Sequence, residues 1–423
     1  MAKLKYDKHG RLLFTKEMKA EYTLLMPMML PITFTLLKKI LELDGYKIDL
    51  LNTSHRGIID TGLKYVHNDT CYPALLVIGQ LIEAVNSGKY DPNKVALLIT
   101  QTGGGCRASN YIHLLRKALE KAGLSHIPVV SVNLSGLEKN PGFPIGLGTI
   151  RRLVPGLLYG DLLLHLKNQC LPYEKELGET EDLIERWIDA LVKGFARGKG
   201  MSRREMFSVM KQIVADFAAI PIERSHIRPR VGIVGEIYVK FAPLANNNLE
   251  EFLISEGCEP VVPGLTDFMI FKIDNRVEDV NLYGGKFLKR KLAEIFRNYL
   301  ESLQQVMIKA IKTQPIFWAM EPFSALKAGV KGYLGYGNKM GEGWLLAAEM
   351  IELIHAGVNN IVCAQPFGCL PNHIVGKGMI RKLKDDHPES NIVAIDYDPG
   401  ATKINQENRI KLMLANAGRE IHY

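Results

Sequence analysis

The stretch Val95-Ala-Leu-Leu-Ile-Thr-Gln-Thr-Gly-Gly-Gly-Cys106-Arg-Ala-Ser-Asn-Tyr111 decides the fold class. Its apolar, β-branched run predicts a strand over Val95–Thr100, the three glycines predict a turn, and amphipathic Tyr111–Lys121 predicts a helix. Glycines let the backbone approach a bulky group closely. The positive end of a helix near Cys106, with its unpaired N–H groups, would favour a thiolate over a thiol.

The same construction recurs twice. Leu63-Lys-Tyr-Val-His-Asn-Asp-Thr-Cys71-Tyr-Pro-Ala reads as a strand over Leu63–Val66 and then a cysteine ahead of Pro73, with a helical pattern from Ala74 to Val85. Proline suits a first helical turn, so Cys71 is expected at or just before it. Asn360-Ile-Val-Cys-Ala-Gln-Pro-Phe-Gly-Cys369-Leu-Pro-Asn-His repeats the arrangement, with Pro371 in the role of Pro73. Three thiols at three strand-to-helix ends are placed to converge on one side of α/β sheets, where open sheets bind their ligands.

Outward from these motifs, strands alternate with helical patterns. In the first half these are Leu24–Met29, Thr33–Leu43, Ile48–Asn52 and then, after Lys121, a strand over 128–133. Such alternation implies a largely parallel sheet covered on both faces. Residues from Leu157 to about Ile220 carry helical periodicity without strand signals. A second alternation opens with strand Arg230-Val-Gly-Ile-Val-Gly and helix Asn248–Ser255, then strand Pro260-Val-Val and a long helix near Lys286–Lys312. It closes with helix Trp344–His355, strand Asn360–Ala364, helix Leu370–Asp385, strand Asn391–Asp396 and helix Asn405–Asn416. The expected organisation is therefore α/β, two Rossmann-like doubly wound domains with a helical connecting segment. The first domain would span residues 1–156 and carry Cys71 and Cys106. The helical segment would span 157–227, and the second domain, 228–423, would carry Cys369.

The bulk numbers exclude several classes. A chain of 423 residues that is 47% hydrophobic and 23% charged is an ordinary globular composition. The net charge of +8 suits either an acidic small ligand such as a coenzyme A ester or a plain solvated surface. No basic stripe with interleaved aromatics speaks for nucleic acid. The longest apolar run, Tyr22–Leu37, is broken by Pro27 and Pro31 and is shorter than a bilayer span. The N-terminus has no apolar signal core, and six cysteines in so long a chain are no disulfide framework, so a reducing cytoplasm is expected.

A lone cysteine is usually a small buried hydrophobe. Cys170, near a helix end, Cys258, after Gly257, and Cys363, inside a strand, read as structural, with Cys363 a spare ligand candidate. For Cys71, Cys106 and Cys369 the shared context favours chemistry. Paired C-x2–4-C zinc ligands and a thioredoxin-like C-x-x-C are both missing. Iron–sulfur clusters are held by thiolates, although these spacings are unlike compact ferredoxin runs. Gln101, Arg107, Gln365, Asn372 and His373 flank the cysteines and would either tune such a group or serve as turn and cap residues. Glu236 after its strand reads as a ligand contact or a cap. Asp398-Pro-Gly reads first as a turn. The glycine-rich Gly335-Tyr-Gly-Asn-Lys-Met-Gly-Glu-Gly lacks the order of a phosphate-binding G-x4-G-K-[ST] and reads as a turn lining a second site.

His67-Asn-Asp-Thr-Cys71-Tyr-Pro-Ala, Thr100-Gln-Thr-Gly-Gly-Gly-Cys106-Arg-Ala-Ser-Asn-Tyr, Gln365-Pro-Phe-Gly-Cys369-Leu-Pro-Asn-His and Asn391-Ile-Val-Ala-Ile-Asp-Tyr-Asp-Pro-Gly-Ala-Thr-Lys-Ile-Asn-Gln together resemble the 2-hydroxyacyl-CoA dehydratase superfamily. Within it, the chain looks most like the dehydratase-like module at the C-terminal end of large CoA-enzyme activase proteins. The resemblance runs from about residue 20 to the end. It implies a [4Fe-4S] cluster, or its double-cubane variant, on Cys71, Cys106 and Cys369; Gln101, Arg107 and Gln365, which flank these cysteines, are then expected beside it. It also implies an oxygen-sensitive electron-transfer role served by a separate ATP-hydrolysing activator protein, since no ATPase motif is visible here. An acyl-CoA ligand and a homo- or hetero-dimer belong to the same expectation. A lyase subunit that itself dehydrates an (R)-2-hydroxyacyl-CoA, and a cluster-free binding or scaffold protein, remain as alternatives.

Overall fold

The computed structural model describes residues 3–67, 69–101, 105–132 and 138–416. Its first half builds a sheet from β1 (Thr23–Pro27), β2 (Lys47–Leu51), β3 (Val95–Thr100) and β4 (Val129–Val132). All pairings are parallel and the order is β2-β1-β3-β4. The second half repeats this with β5 (Arg230–Gly235), β6 (Glu259–Val261), β7 (Asn360–Pro366) and β8 (Asn391–Tyr397), in the order β6-β5-β7-β8, again parallel throughout. Strands β3 and β7 are buried nearly end to end rather than in alternation, as parallel strands covered on both faces must be. In each sheet the chain reverses its winding between the first and third strands, and loops leaving the carboxyl ends there face a common crevice.

Helices α1 (Lys16–Glu21), α2 (Pro31–Glu42), α3 (Arg56–Tyr65), α4 (Tyr72–Asn86) and α5 (Tyr111–Lys121) belong to the first half. The short α1 starts where the Thr15 hydroxyl accepts from the Met18 N–H. Three helices without strands follow, α6 (Leu147–Cys170), α7 (Glu179–Ala196) and α8 (Arg203–Ala218). Helix α6 runs unbroken through position 156, where one domain was expected to end, and carries Pro155 within it. The second half adds α9 (Ile237–Phe241), α10 (Pro243–Asn246), α11 (Leu249–Ser255), α12 (Leu265–Tyr283), α13 (Phe287–Ile311), α14 (Phe323–Gly329), α15 (Leu345–His355), α16 (Ile380–Asp386) and α17 (Lys403–Asn416). Leu303, Ala310 and Ile311 of α13 share one apolar core with α6, α7 and α8. Among the described residues, no helix is long and apolar enough to cross a membrane.

Helix α4 is the hinge of the architecture. Twelve of its residues are buried, Tyr72 and Pro73 among them. It lies in a continuous core that joins Leu25, Leu97 and Ile99 of the first sheet to Val231, Ile233, Val362 and Ile395 of the second. A helix apolar all round has to be enclosed on all sides. Its one buried amide, Gln80, donates to the Leu51 and Thr53 carbonyls beyond β2.

Two expectations are corrected, and one helix was not foreseen. Leu63–Val66 is no strand: residues 63–65 end helix α3 and Val66 caps it. Four residues, Leu63-Lys-Tyr-Val66, are too few to separate the two periods, and close packing of α3 on α4 decides it. Leu370–Asp385 is not one helix. Asn372–Gly376 forms a wide π-type turn and Lys377–Met379 a tight 3-10 turn before α16 begins. Asn372 diverts its amide to the Ala364 carbonyl, 3.0 Å away, and glycines follow at 376 and 378. Helix α12 was not evident in the sequence because Asp267, Asp274, Asn275 and Glu278 interrupt the apolar periodicity of its buried face.

The α3–α4 contact rests on two glycines. A Cβ at Gly62 would overlap the Leu75 carbonyl, and one at Gly79 would overlap the Ile58 carbonyl and crowd Gly62. We predict that Gly79→Ala destabilises the chain by about 1–3 kcal/mol, because the clash is with backbone that cannot swing away. This outweighs the roughly 1 kcal/mol that alanine gains in helix propensity. Urea unfolding of the purified variant measures it.

Candidate functional site

Each of the three cysteines follows the carboxyl end of a strand or helix, as its local sequence dictates. Cys71 is the N-cap of α4 with extended backbone, φ −71° and ψ 147°. Cys106 opens a 3-10 turn, Arg107–Asn110, that leads into α5. Cys369 follows β7, its N–H bonded to the Pro366 carbonyl at 3.3 Å and its own carbonyl accepting from His373 N–H at 3.1 Å. Cys71 and Cys369 are buried and Cys106 is partly exposed.

The folded chain draws these loops together. The Tyr72 N–H donates to the Phe367 carbonyl at 3.0 Å, which ties the start of α4 to the loop after β7. Gly368, at φ +74°, takes the left-handed conformation that glycine alone adopts freely. A Cβ there would stand 3.1 Å from Cys71 Cα and 3.2 Å from the Arg107 guanidinium. Since Gly368 precedes Cys369, the Cα atoms of Cys71 and Cys369 lie within roughly 8.5 Å of each other, from standard bond and Cα–Cα lengths. A Cβ at Gly341 would in turn meet Pro371 at 3.1 Å and Cys106 Sγ at 3.9 Å. Glycine-rich residues 335–343 therefore line the same crevice that holds the cysteines.

Polar groups close the pocket. The Tyr111 hydroxyl lies 2.7 Å from Cys71 Sγ. Glu236, at the end of β5, caps α9 by accepting from Val239 N–H at 2.9 Å. Glu342 accepts from Ile237 N–H at 3.1 Å. Lys272 Nζ of α12 donates to the Gly341 carbonyl. Glu236 exerts a field on all three thiols, and Cys106 exerts one on both Cys71 and Cys369. Among the described residues no three His, Cys, Asp or Glu side chains close on a single point as ligands of one metal ion would. A cubane binds its cysteines through different irons and so requires them to stand further apart.

The electrostatics correct one expectation. The N–H groups of Ala74, in the first turn of α4, and of Ala108 do favour the Cys71 and Cys106 thiolates, but burial outweighs them. Burial pushes Cys71 up to about 11, opposed by the Tyr111 hydrogen bond. Burial likewise raises Cys106, and it raises Cys369 strongly with Glu342 and Glu236 adding to it. Burial, then the neighbouring Glu342, raises Glu236 to about 8. Burial lowers Lys272. The site thus gathers three thiols and the Glu236 carboxyl, which resist ionising together unless a positive centre sits among them.

The flanking residues take distinct places. The Arg107 guanidinium donates to the Asp69 carbonyl at 2.7 Å and so clasps the Cys71 loop from the Cys106 side. The Gln101 side-chain oxygen accepts from the Ser131 hydroxyl at 2.9 Å at the ends of β3 and β4. Gln365 directs its amide to His373 Nδ1 at 2.7 Å and Asp396 Oδ1 at 2.8 Å, leaving its buried carbonyl oxygen without a partner. Cys363 faces the opposite side of the second sheet, in the core around Trp344, with Sγ 3.5 Å from Asn372 Oδ1. Cys170 and Cys258 are buried in apolar surroundings. Asp398 accepts from the Gly400 and Ala401 N–H groups and forms the turn read from its sequence. Tyr111, Lys272 and Glu342 carried no separate signal; Glu342 sits within the glycine-rich run, and Tyr111 follows Cys106 by five positions. No family model matches the chain, and no curated protein sequence is similar to it.

Three outcomes follow for the metal-free chain. In a pH series with iodoacetamide, read by mass spectrometry, Cys106 is alkylated before Cys71 and Cys369. Tyr111→Phe moves the Cys71 midpoint further upward, since a hydrogen bond worth about 0.5–1.5 kcal/mol to the thiolate is removed. Glu236, raised from 4.5 to about 8, binds more protons folded than unfolded between those values. Its contribution to stability is complete below pH 4.5 and is lost as pH rises through about 8. Urea midpoints should fall over that window in the native sequence and fall less in Glu236→Gln.

Proposed function

We propose that this chain is the iron–sulfur redox component of an ATP-dependent, low-potential electron-transfer system of the 2-hydroxyacyl-CoA dehydratase type. The observation that carries the reading is the meeting of Cys71, Cys106 and Cys369, from three loops distant in sequence, in one largely buried crevice. The strand order shared by the two sheets supports the finer reading of both as Rossmann-like, doubly wound units.

The donor set fits a [4Fe-4S] cluster. Three thiols meet there, and their ionisation calls for a positive centre. Cys71, Cys106 and Cys369 would hold the cluster, which when bound supplies one-electron chemistry with one iron free of a protein sulfur. The surrounding residues do the rest. Tyr111 steadies the Cys71 sulfur through its hydroxyl. Arg107 holds the Cys71 and Cys106 loops in register. Glu236, protonated at neutral pH by burial and by Glu342, is a proton carrier at the wall of the site. The electron would come from a separate ATP-hydrolysing activator, in a reducing cytoplasm where an oxygen-sensitive site survives.

Iron and acid-labile sulfide analysis with EPR, on protein purified without oxygen, tests the reading. About four irons per chain are expected. They should be lost in Cys71→Ser, Cys106→Ser and Cys369→Ser and retained in Cys170→Ser. A chain that holds no iron after anaerobic reconstitution is a binding or scaffold protein instead.

A further inference from the structure

The C-terminal end of α12 and the first half of α13 form a helical hairpin joined at Gly284 and Gly285, whose φ values are +75° and +151°. From Asp279 to Tyr299 not one residue is buried. Yet the hairpin is rich in apolar side chains. Tyr283 is 71% exposed, Phe287 and Leu288 70%, Leu292 60% and Ile295 59%, with Phe296 and Tyr299 beside them. Phe296 and Tyr299 stack at 6.5 Å. Leu288, Leu292, Ile295 and Tyr299 recur at steps of four, three and four, the period of a helix–helix seam.

Two arguments identify what covers this face. Its exposed apolar residues amount to roughly 800–900 Å², taking aromatic and aliphatic side chains at their usual size. That exceeds the ~300–600 Å² of the largest apolar patch on a typical monomer and matches the ~800 Å² that each partner buries in a standard interface. The charges are also polarised along α13. Lys286, Lys289, Arg290 and Lys291 crowd its start, while Glu294 and Glu301 lie further on. The intervening Arg297 is turned inward to the buried Asp274 at 2.9 Å. Glu294 is held by Arg290 and Lys291 of its own helix, at 2.9 and 3.5 Å. The charges left for a partner are Lys286 and Lys289 at the start and Glu301 further on, which two antiparallel helices set against each other.

We propose that this hairpin is the interface between two copies of the chain, which pack α12 and α13 of each into a two-fold four-helix bundle. The antiparallel crossing is the self-complementary contact that a two-fold axis requires. Its apolar centre is Leu288, Leu292, Ile295 and Tyr299 from both copies. The interface adjoins the cysteine site, because the Tyr283 hydroxyl and Leu282 stand against Gly337 in the glycine-rich segment that continues to Gly341 and Glu342.

Analytical ultracentrifugation of the full chain, in the state in which it is purified, is the test. The native sequence should sediment at twice the 47.4 kDa of one chain. Leu292→Glu and Ile295→Glu should each raise the dimer dissociation constant on the order of a hundredfold, since each places a charge at the centre of the seam. Both positions are exposed within one chain, so circular dichroism should be unchanged. Leu177→Glu, at a 94% exposed leucine elsewhere, should leave the dimer intact. A native chain that is monomeric at tens of micromolar overturns the proposal and assigns the face to a different protein. A dimer that survives both hairpin variants overturns it as well. Neither result depends on whether the cysteines bind iron.

Discussion

The enclosure of helix α4 is the constraint on which the rest of the molecule depends. A fifteen-residue helix with twelve buried positions has no solvent face. Burying one side chain of this kind contributes about 1.5–3 kcal/mol, so leaving any face of α4 open would be costly. Strands β1 and β2, helix α5 and, from the second half, α10 pack on it, and α3 supplies a further side at a separation that only Gly62 and Gly79 permit. Because α4 is held from both halves, its N-terminus is fixed against the loop after β7 through the Tyr72–Phe367 hydrogen bond. That single alignment brings Cys71 to the Cys369 loop.

The repeated strand order turns this alignment into a site. Both sheets reverse winding at the same place in their order, so each offers its carboxyl-end loops to a crevice. The first sheet sends Cys106 there, and the second sends Glu236 from β5 and Cys369 from β7. The long excursion through α12 to α14 returns the glycine-rich segment to the cysteines, where a Cβ at Gly341 would meet Pro371 and Cys106 Sγ. Beneath it, Lys240 and Glu349 form a buried ion pair at 2.9 Å, one turn beyond Glu236 on the one side and two turns beyond Glu342 on the other. A buried pair of this kind contributes little net stability and is expensive to break, so it holds α9 and α15 in one relation to each other. The site is thus stiff behind the cysteines and lined by glycine-rich chain in front of them.

Much of this was legible locally. Val95–Thr100 and Tyr111–Lys121 have the bounds that their patterns predict, and the strand expected to open at Arg230 does so, because long periodic runs leave one reading. Short or interrupted runs misled: Leu63–Val66 belongs to the end of a helix, and Leu370–Asp385 is broken by Asn372 bonding back to the Ala364 carbonyl. Helix α12 was hidden by buried acids whose partners, Gln304, Arg297 and Lys327, come from elsewhere in the chain.

The sequence by itself determined the α/β class and the strand-to-turn runs that lead to Cys106 and Cys369. Each of those rests on residues within about a dozen positions of one another, where periodicity and turn chemistry act. Only the tertiary structure decided that the three loops meet, that Tyr111, Glu236, Glu342 and Lys272 surround them, and that the thiols are raised rather than lowered. Those outcomes follow from enclosure, and enclosure is a property of elements from both halves packing around α4. Desolvation outweighs a helix end once a thiol is buried among carboxyls.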